Sequence, residues 1–460
     1  MPRPALAVTL LLLAGCAVQP GYQRPPVELP QAWRESAPRA AEDGHWWRVY
    51  NDAALDRLVE EALARNSDVL VAVARVDEAS ALLLGAEAGL QPQVDAGASA
   101  GRSLSSSATG LLPPGAPRER DNYRAALNVS YEIDVFGRLR NARGAARADL
   151  AASVAVRDAV RLSLAARVAR SYSALVALDA QVEVTRRVLA SREESLALQR
   201  RRRDAGMTSD FDLRQFEAET ATVRAQLPPL LRDRDIEEAA LAVLVGRSAR
   251  EVVEGGVSRA QGPQDQPVAA VVPQGLPSEL LLRRPDLIEA EQRLIATNAR
   301  VAVARAAYFP SITLSGVLGS ESAELGDLFT GPAGIWSFVA SLAQPIYGGG
   351  RLDAQRDAAL ARERAALAQY QGAIRNAFGE VRQALVSQSR ARESFEAQSE
   401  RVRALQETLR LARLRYDNGV TSQLEVLDAE RGLLAAETAR IEALRAQRAA
   451  LADLFRALGG

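Results

Sequence analysis

The sequence predicts an α+β fold that consists mainly of long α-helices, is built as an internal tandem repeat, and carries two membrane-inserted β-hairpins. Three observations support this prediction. Sequence motifs in the first half of the 460-residue chain recur in the second half at constant spacing. Two stretches without proline are each long enough for a helix of about 100 Å. Between helices, apolar and polar residues alternate with the period of two that is typical of membrane β-strands.

The repeat is defined by motifs at the ends of the predicted helices. Two motifs and one glycine recur at one common offset, and three single residues recur at a second, slightly larger offset. Self-similarity at fixed spacing is the signature of a repeat architecture, so we expect both halves to form the same series of elements. The matched positions are Gly137-Arg138-Leu139 with Gly350-Arg351-Leu352, Asp204-x-Gly206-x-Thr208-Ser209 with Asp417-x-Gly419-x-Thr421-Ser422, Gly246 with Gly459, Asp68 with Asp286, Arg75 with Arg293, and Pro92 with Pro310.

The repeat divides the chain into five predicted regions. Each repeat is expected to run in the order helix, β-hairpin, long helix, tip turn, helix. The linker between the repeats is rich in Gly, Pro and Gln, which is typical of a connecting segment. The regions are a lipoprotein signal peptide at 1–16, an N-terminal equatorial segment at 17–66, the first repeat at 67–246, the linker at 247–283, which is also equatorial, and the second repeat at 284–460.

Residues 1–16 have the features of a secretory leader. A positively charged start, the apolar run Ala5–Leu13 and small residues before the cleavage site describe a signal peptide rather than a membrane span. Leu13-Ala14-Gly15-Cys16 is also the lipobox of bacterial lipoproteins, which implies that Cys16 is lipidated. Ala17 follows instead of Asp, which in this resemblance to lipoproteins favours retention in the outer membrane over the inner membrane. One acyl anchor holds a protein only marginally, so we expect a second membrane attachment.

Composition argues against several classes of function. The chain has 57 basic and 57 acidic residues, and every basic residue is Arg, so its net charge of +0 gives no electrostatic case for nucleic acid binding. One histidine, His45, and one cysteine leave almost no material for a metal site or a histidine base. We therefore expect no enzyme activity, no cofactor, no metal and no nucleic acid partner.

The two proline-free stretches, from Gly137 to Asp204 and from Gly350 to Asp417, are predicted to be the long helices. A stripe of apolar residues at heptad spacing runs along each of them, with small residues three positions on. A sustained heptad pattern argues for supercoiled helices in close contact. The stripe of the second copy is Leu360, Leu367, Ile374, Val381, Phe395, Val402, Leu409 and Tyr416, and that of the first copy includes Val154, Val168, Leu175, Val182, Leu189 and Leu196.

In each repeat, one shorter helix is predicted before the hairpin and another after the long helix. The tip turns at Gly206 and Gly419 end the long helices, and helices at about 210–245 and 423–458 follow, the first with a kink or break at Pro228-Pro229. Two helices, at Asp68–Gln91 and Asp286–Phe309, are predicted before the strands. Because the helix before the strands and the helix after the tip turn together match the length of one long helix, we expect them to stack end to end along it.

The alternation of apolar and polar residues over Tyr123–Val135 predicts a membrane strand, paired with Val94–Ser99. Four strands cannot close a barrel, and open edges are not tolerated in hydrocarbon, so several copies must share one barrel. In the second copy, Ile312, Leu314, Gly316 and Leu318 are predicted to pair with Trp336, Phe338, Ala340 and Leu342.

Three stretches resemble the TolC-like outer membrane factors, in particular the lipidated NodT/OprM-type efflux branch. The resemblance implies a homotrimer in which a trimeric α-barrel of long coiled-coil helices continues into a shared 12-stranded transmembrane β-barrel, with four strands per protomer. The stretches are Arg283-Arg284-Pro285-Asp286-Leu287 onward through Ala290-Glu291-Gln292-Arg293, Arg415-Tyr416-x-x-Gly419 with Leu427-Asp428-Ala429-Glu430, and Trp46-Trp47 with Asp52-x-x-Leu55.

The function implied by the resemblance is that of a passive exit duct in the outer membrane. In this family a periplasmic adaptor (a membrane fusion protein) and an inner-membrane pump, here expected to be of the RND type, dock to the helical tip and complete a tripartite exporter of drugs and other small molecules. The other partner is the lipid of the outer membrane. Two alternatives remain open: an outer membrane duct for type I protein secretion, and a lipid-anchored periplasmic coiled-coil scaffold without a channel.

The resemblance also implies a gate near the tip turns. Leu424 and Asp428 match the family's constricting apolar and acidic rings, and three copies of Asp428 would form a ring that favours cations. Glu425, and Asp212 in the first copy, lie where other members have an acid. An ordinary role is also open for these residues, because acids such as Glu425 and Asp428 often lie solvated in the first turns of a helix.

Arg415 and Tyr416 match the pair that bonds neighbouring helices in the closed gate of this family. Thr421 stands where a latching Arg is found in the TolC branch. Any latch of that kind therefore depends on Arg415 and Tyr416. The ordinary alternative is that Tyr416 is a residue of the coiled-coil seam.

Overall fold

The computed structural model describes residues 22–26, 28, 45–109, 115–259 and 280–460. The predicted signal peptide and Cys16 lie outside the described residues. The chain divides into two compact units. Of the described residues, the sheet unit contains those within Met1–Pro26, Arg75–Ser153 and Glu289–Tyr370, and the helical unit contains those within Val27–Ala74, Val154–Ile288 and Gln371–Gly460.

The described elements follow the predicted order in both repeats. The helices are α1 (Ala53–Arg65), α2 (Ser67–Ala88), α3 (Arg138–Asp204), α4 (Asp210–Val245), α5 (Ala249–Glu254), α6 (Leu280–Arg283), α7 (Pro285–Ala306), α8 (Arg351–Asp417) and α9 (Gln423–Leu458). The strands are β1 (Gln93–Leu104), β2 (Glu119–Ile133), β3 (Ser311–Ser322) and β4 (Gly334–Ala343). Among the described helices, none is both long and apolar enough to cross a membrane.

The two long helices, α3 and α8, are confirmed at 67 residues each. Each is therefore about 100 Å long. Most of the heptad positions are buried: Val381 in α8 and Val168 and Leu175 in α3, for example, are all 0% exposed. Apolar burial along one stripe, with arginine and glutamate elsewhere, explains how such a polar helix is kept in a folded protein.

α4 continues through Pro228 and Pro229, so the helix is not broken at the predicted place. The two prolines remove the main-chain hydrogen bonds that would end on the carbonyls of Arg224 and Ala225. Arg224 and Ala225 are both exposed, and water can therefore satisfy the two carbonyl groups. The helices α2 and α7 are 22 residues long, slightly shorter than predicted.

The first end-to-end junction of helices joins the end of α4 to the start of α2. Gly246 ends α4 with φ +85°, and a Cβ atom there would lie 2.6 Å from the carbonyl of Arg65. The side chain of Asn66 donates to the carbonyl of Leu244 at 2.8 Å. Glycine is therefore required at position 246 both by its dihedral angle and by the close approach of another backbone.

The second repeat has the same junction between α9 and α7. Gly459 ends α9 with φ +97°, and a Cβ atom there would lie 3.1 Å from the carbonyl of Arg283. Arg284 is the counterpart of Asn66 in the second repeat, and it donates from Nη1 to the carbonyl of Ala457 at 2.9 Å. The predicted end-to-end stacking of short helices is thus confirmed at both junctions.

The core of the helical unit forms around two adjacent tryptophans. Trp46 and Trp47 are each 5% exposed. The carboxylate of Asp52 accepts from the backbone N–H groups that begin α1, and it also accepts from the hydroxyl of Tyr172 at 2.8 Å. Further members of this core are Leu55, Leu58, Val59, Ala62, Leu164, Val168, Leu175, Leu241, Val245, Leu451 and Phe455.

The sheet unit contains a four-stranded antiparallel sheet in the order β1-β2-β3-β4. The predicted pairing of the strands is confirmed, and in the observed register Leu318 lies opposite Trp336 and Ile312 opposite Leu342. Gly319 faces Ala126, and a Cβ atom at Gly319 would lie 2.6 Å from the Cα atom of Ala126. A glycine is therefore needed at position 319 for β2 and β3 to approach each other.

The register separates an apolar face of the sheet from a polar one. Successive side chains of a strand point to opposite faces. One cross-strand row is Ala96, Leu127, Leu318 and Trp336, and the next row, on the other face, is Asp95, Asn128, Val317 and Ser337. Leu127, Leu318 and Trp336 are exposed by 47%, 65% and 80%, so this apolar face is uncovered in the single chain.

Candidate functional site

The two tip turns have the same backbone geometry. Gly206 and Gly419 have φ +73° and φ +68°. The N–H of the next residue turns back to the helix in each case: Met207 donates to the carbonyl of Arg202 at 2.8 Å, and Val420 donates to that of Arg415 at 2.9 Å. This is the Schellman end of a helix, which needs a left-handed residue and therefore favours glycine.

The acidic residues after the two turns have different partners. Asp212 accepts from the hydroxyl of Ser209 at 2.7 Å and donates its backbone N–H to that oxygen at 3.1 Å, which caps α4. Glu425, its counterpart in the second repeat, instead pairs with Arg415, with 3.4 Å between Nη1 and Oε2. The side chain of Ser422 makes no capping bond. Of these two predicted gate acids, Asp212 is therefore bonded to Ser209, the residue that caps α4, in the single chain.

A hydrogen-bond network links the second tip turn to α3. The Tyr416 hydroxyl donates to Oε1 of Gln423 at 2.6 Å, and it accepts from Nη1 of Arg202 at 3.2 Å. The side chain of Gln199 donates to the same Gln423 oxygen at 2.9 Å. Two residues of α3 thus hold the end of α8 and the start of α9, and we call Gln199, Arg202, Tyr416 and Gln423 the tip network.

The remaining predicted latch residues are arranged differently. Arg415 contacts Glu425 within its own helical hairpin, whereas Tyr416 bonds to α3. The Thr421 hydroxyl is buried, and it has no hydrogen-bond partner among the described residues. The structure therefore brings Tyr416, rather than Arg415, together with the other repeat within one chain.

Apolar side chains pack directly beside the tip network. Leu427 of α9 belongs to a cluster with Leu196 of α3 and Phe216 of α4, while Val426 packs against Leu409 of α8. Leu424 and Asp428 are one helical turn apart on α9, and both are exposed. The face of α9 that carries these two residues is therefore free in the single chain, while Val426 and Leu427 bury the adjacent face.

A layer of charged residues crosses all four helices behind the tip. Arg192 of α3, whose side chain is 3% exposed, lies 3.2 Å from Glu430 of α9, and Arg413 of α8 lies 2.8 Å from the other oxygen of that carboxylate. Arg431 of α9 pairs with Glu219 of α4. The hydrogen bonds from Arg431 lower the pKa of Glu219. We call these five residues the charge layer.

In the described ranges, no group of three or more His, Cys, Asp or Glu side chains is placed to hold a metal ion. Cys16, the predicted lipidation site, lies outside those ranges. The geometry of the tip is thus a set of interhelical hydrogen bonds, ion pairs and apolar contacts.

Comparison with known proteins gives the family of the chain. The family model described as outer membrane efflux protein matches residues 58–247 and 276–460. The chain belongs to the outer membrane efflux protein family. Its predicted TolC-like fold, mostly helical with a small sheet, is confirmed. As a member of this family, it is located in the outer membrane and is the outer membrane component of an efflux system, and the family consists of channels rather than enzymes.

Two relatives and one solved structure show how close the match is. The chain is 34% identical over 461 residues to the probable outer membrane lipoprotein SilC of Salmonella typhimurium, with 98% of this chain and 97% of that protein covered. It is 34% identical over 469 residues to the toluene efflux pump outer membrane protein TtgF of Pseudomonas putida, with coverage of 97% and 94%. The open state of the Neisseria gonorrhoeae MtrE outer membrane channel matches with a TM-score of 0.81 and 33% identity, covering 97% of this chain and 98% of that one.

Sequence reasoning missed three residues of the tip network, namely Gln199, Arg202 and Gln423. One signal for them was available in the repeat. Arg202 is the first-repeat counterpart of Arg415, and Gln423 is the second-repeat counterpart of Asp210, so both occupy tip positions. Their contacts with Tyr416 could not be read from this correspondence, because the repeat gives equivalent positions and does not say which side chains of the two copies meet.

Proposed function

We propose that three copies of the chain form the passive exit duct of a tripartite efflux system, with the five regions predicted from the sequence as its parts. The observation that carries this proposal is the four-stranded sheet with one uncovered apolar face. Among the described residues β1 and β4 each pair on one side only. Unpaired strand edges are costly in hydrocarbon, and three sheets of four strands would pair every edge in a 12-stranded barrel.

The apolar face of each sheet would contact the acyl chains of the outer membrane. Val94, Val129 and Phe338 belong to this face, and all three are exposed in the single chain. The polar face, which carries Arg124, Asn128 and Glu321, would line the water-filled interior. This second membrane attachment would act together with acyl chains on Cys16, because one acyl anchor alone binds only marginally.

The tip of the helices would be the periplasmic gate. Leu424 and Asp428 lie on the exposed face of α9, and threefold symmetry would bring their copies around one axis. Glu425, Asp212 and Arg415 would add charge around this constriction. The tip network would hold α8 and α9 against α3 in the closed state, with Tyr416 as the latch. Because position 421 is Thr and not the latching Arg of the TolC branch, Arg202 would supply the arginine of this latch.

A periplasmic adaptor would dock at the tip turns around Gly206 and Gly419, and an inner-membrane pump, of the RND type, would supply the energy. Apolar side chains at both turns support a docking role, because Met207, Phe211 and Val420 are 72%, 76% and 67% exposed. Exposed apolar patches of this kind mark sites of protein–protein contact. We further propose that the cargo consists of drugs or other small molecules. In support, one relative is named for toluene efflux.

Single-channel conductance of the detergent-purified protein in planar bilayers tests this proposal. We expect wild type to conduct with a preference for cations, and Asp428→Ala to reduce that preference because the acidic ring is lost. Asp235→Ala is the matched control, since Asp235 is an exposed acid in the middle of α4. Equal cation selectivity of Asp428→Ala and wild type would reject Asp428 as a gate residue.

Two further outcomes of the same preparation bear on the duct itself. A purified protein that is monomeric by light scattering in detergent would reject the shared barrel. A trimer that never conducts would instead favour the scaffold without a channel. Incorporation of labelled palmitate into wild type, and its loss in Cys16→Ser, would test the lipid anchor independently of both.

A further inference from the structure

Two residues of the N-terminal segment meet at one buried carboxylate of the sheet unit. Arg24 donates from Nε and Nη2 to the two oxygens of Glu291 at 2.7 and 2.6 Å, and the Tyr22 hydroxyl donates to Oε1 at 3.1 Å. Glu291 lies on α7 and is 8% exposed. A bidentate pair between Arg and a carboxylate is among the strong hydrogen-bonded contacts in proteins. The segment 22–26 is therefore attached at a specific place.

A tyrosine of α8 completes the surroundings of this carboxylate. Tyr370 is 1% exposed, and its hydroxyl has no partner among the described residues. Burial, and then the charge of Glu291, raise the pKa of Tyr370, so that the phenol stays protonated. In the described part of the chain, Arg24 is the one cation paired with Glu291. Without the N-terminal segment, a largely buried carboxylate would lack its counter-charge.

The internal repeat shows that these contacts exist once per chain. The first-repeat counterpart of Glu291 is Val73, and that of Tyr370 is Arg157, so the first repeat has neither the acid nor the phenol. A nearby repeat position is kept, as Asp286 matches Asp68. A packing role common to both repeats would place similar residues at both positions. A partner that occurs once per chain, such as the N-terminus, explains the asymmetry.

We propose that Glu291 and Tyr370 form a docking site for the chain's own N-terminal segment, and that this clasp holds the acylated end of the protein at the sheet unit. The role of the clasp in anchoring rests on the proposed lipidation of Cys16. The chain from Cys16 to Tyr22 spans at most about 20 Å when fully extended. A docked segment thus keeps Cys16 within about 20 Å of Tyr22, which is held at the sheet unit. A short link between two membrane attachments raises their effective concentration for each other.

Spin-label mobility at position 23 tests the clasp. Gln23 lies between Tyr22 and Arg24 and is exposed, so Gln23→Cys can carry a nitroxide without breaking the clasp. Cys16 is the one cysteine of the sequence, and acylation would block it. The wild-type protein should therefore take up no spin label. If it does take up label, Cys16 is not acylated, and this outcome is distinct from a failure of the clasp.

We expect an immobilised electron paramagnetic resonance spectrum when only Gln23→Cys is present. Adding Glu291→Gln, which is isosteric, should release the segment. The ratio of immobilised to mobile label should fall by about tenfold or more, because the loss of hydrogen bonds to a charged group changes an equilibrium by that much. Arg24→Gln should have the same effect, and the two changes together should add little to either one.

Asp121→Asn is the matched control, because Arg102 and Asp121 form a bidentate pair of the same geometry in the β1–β2 hairpin. The label at position 23 should stay immobilised in this variant. An immobilised label in Glu291→Gln, or equal release in Asp121→Asn, would overturn the proposal.

Discussion

The Tyr416 hydroxyl donates to Gln423 across the second tip turn at 2.6 Å, at the positions where the first repeat has Arg203 and Asp210, 2.9 Å apart. Both pairs have the same separation in sequence and span a turn that contains a positive-φ glycine. The first pair is an exposed ion pair, which is worth little in water. The second is a half-buried hydrogen bond that continues to Arg202 of α3. A side-chain contact thus spans the tip turn of each repeat, and the contact in the second repeat is also hydrogen-bonded to Arg202 of the first repeat.

Removing the Tyr416 hydroxyl should weaken the closed tip. Tyr416→Phe loses the bond to Gln423 and the acceptor for Arg202, at a cost of about 1 kcal/mol for each net hydrogen bond. We expect longer open times in single-channel recordings. Tyr308→Phe is the control, since Tyr308 donates to Asp353 at 2.7 Å in the sheet unit. Open times that rise equally in both variants would contradict a latch at the tip.

The helix junctions predict an order of stability among three glycine substitutions. Gly206→Ala meets no nearby atom, so it should cost only the strain of a left-handed alanine, about 1–2 kcal/mol. Gly459→Ala adds a tight contact with Arg283, and Gly246→Ala adds an overlap with the carbonyl of Arg65. We expect midpoints of thermal unfolding to fall in that order, with Gly246→Ala lowest. Equal midpoints for Gly246→Ala and Gly206→Ala would contradict the close junction.

The charge layer should be sensitive to the loss of one carboxylate. Glu430→Gln removes the charge that compensates Arg192, which pairs with it through Nη2 and whose Nε and Nη1 have no hydrogen-bond partner among the described residues. Breaking a buried pair on one side costs about 3–5 kcal/mol. Glu442→Gln is the control, because its pair with Arg445 is half-exposed and worth about 0–1 kcal/mol. The measurement is denaturant unfolding, and equal losses of free energy in the two variants would refute the layer.

The acid limb of stability should depend on Glu219. The pKa of this carboxyl is lowered from its ordinary 4.5 by hydrogen bonds from Arg431. Its contribution to stability is therefore fully present above pH 4.5 and is lost as the pH falls through the lower pKa of the folded state. Unfolding free energies of wild type and Glu219→Gln should differ at neutral pH and converge in acid. A difference that persists unchanged down to about pH 3 would exclude this linkage.

Neighbouring residues of β2 should differ in their tolerance of charge. Val129 belongs to the apolar face of the sheet and Asn128 to the polar face. In a membrane barrel, Arg on the lipid face near the midplane costs about 2–4 kcal/mol. We expect Val129→Arg to reduce the amount of protein recovered from outer membrane fractions, and Asn128→Arg to leave it near wild type. Equal recovery of the two variants would argue against lipid on the apolar face.

Much of the fold could be predicted from the sequence because burial repeats with a local period. The proline-free stretches and their heptad stripes predicted α3 and α8 closely, and the alternation in β3 and β4 predicted that these two strands pair. The boundaries of α2 and α7 and the effect of Pro228-Pro229 were predicted less well. The continuity of α4 through Pro228-Pro229 depends on solvent reaching the exposed carbonyls of Arg224 and Ala225, and no periodic pattern of the sequence indicates this.

The sequence by itself determined the repeat, the long helices, the two hairpins and the family. The tertiary structure alone decided which polar side chains meet, such as Arg202 with Tyr416, Arg192 with Glu430 and Arg24 with Glu291. The physical reason is that apolar burial follows the local period of a helix or strand, whereas a hydrogen bond requires two particular atoms to come within about 3 Å. Those atoms belong to opposite halves of the sequence, and only the folded chain brings them together.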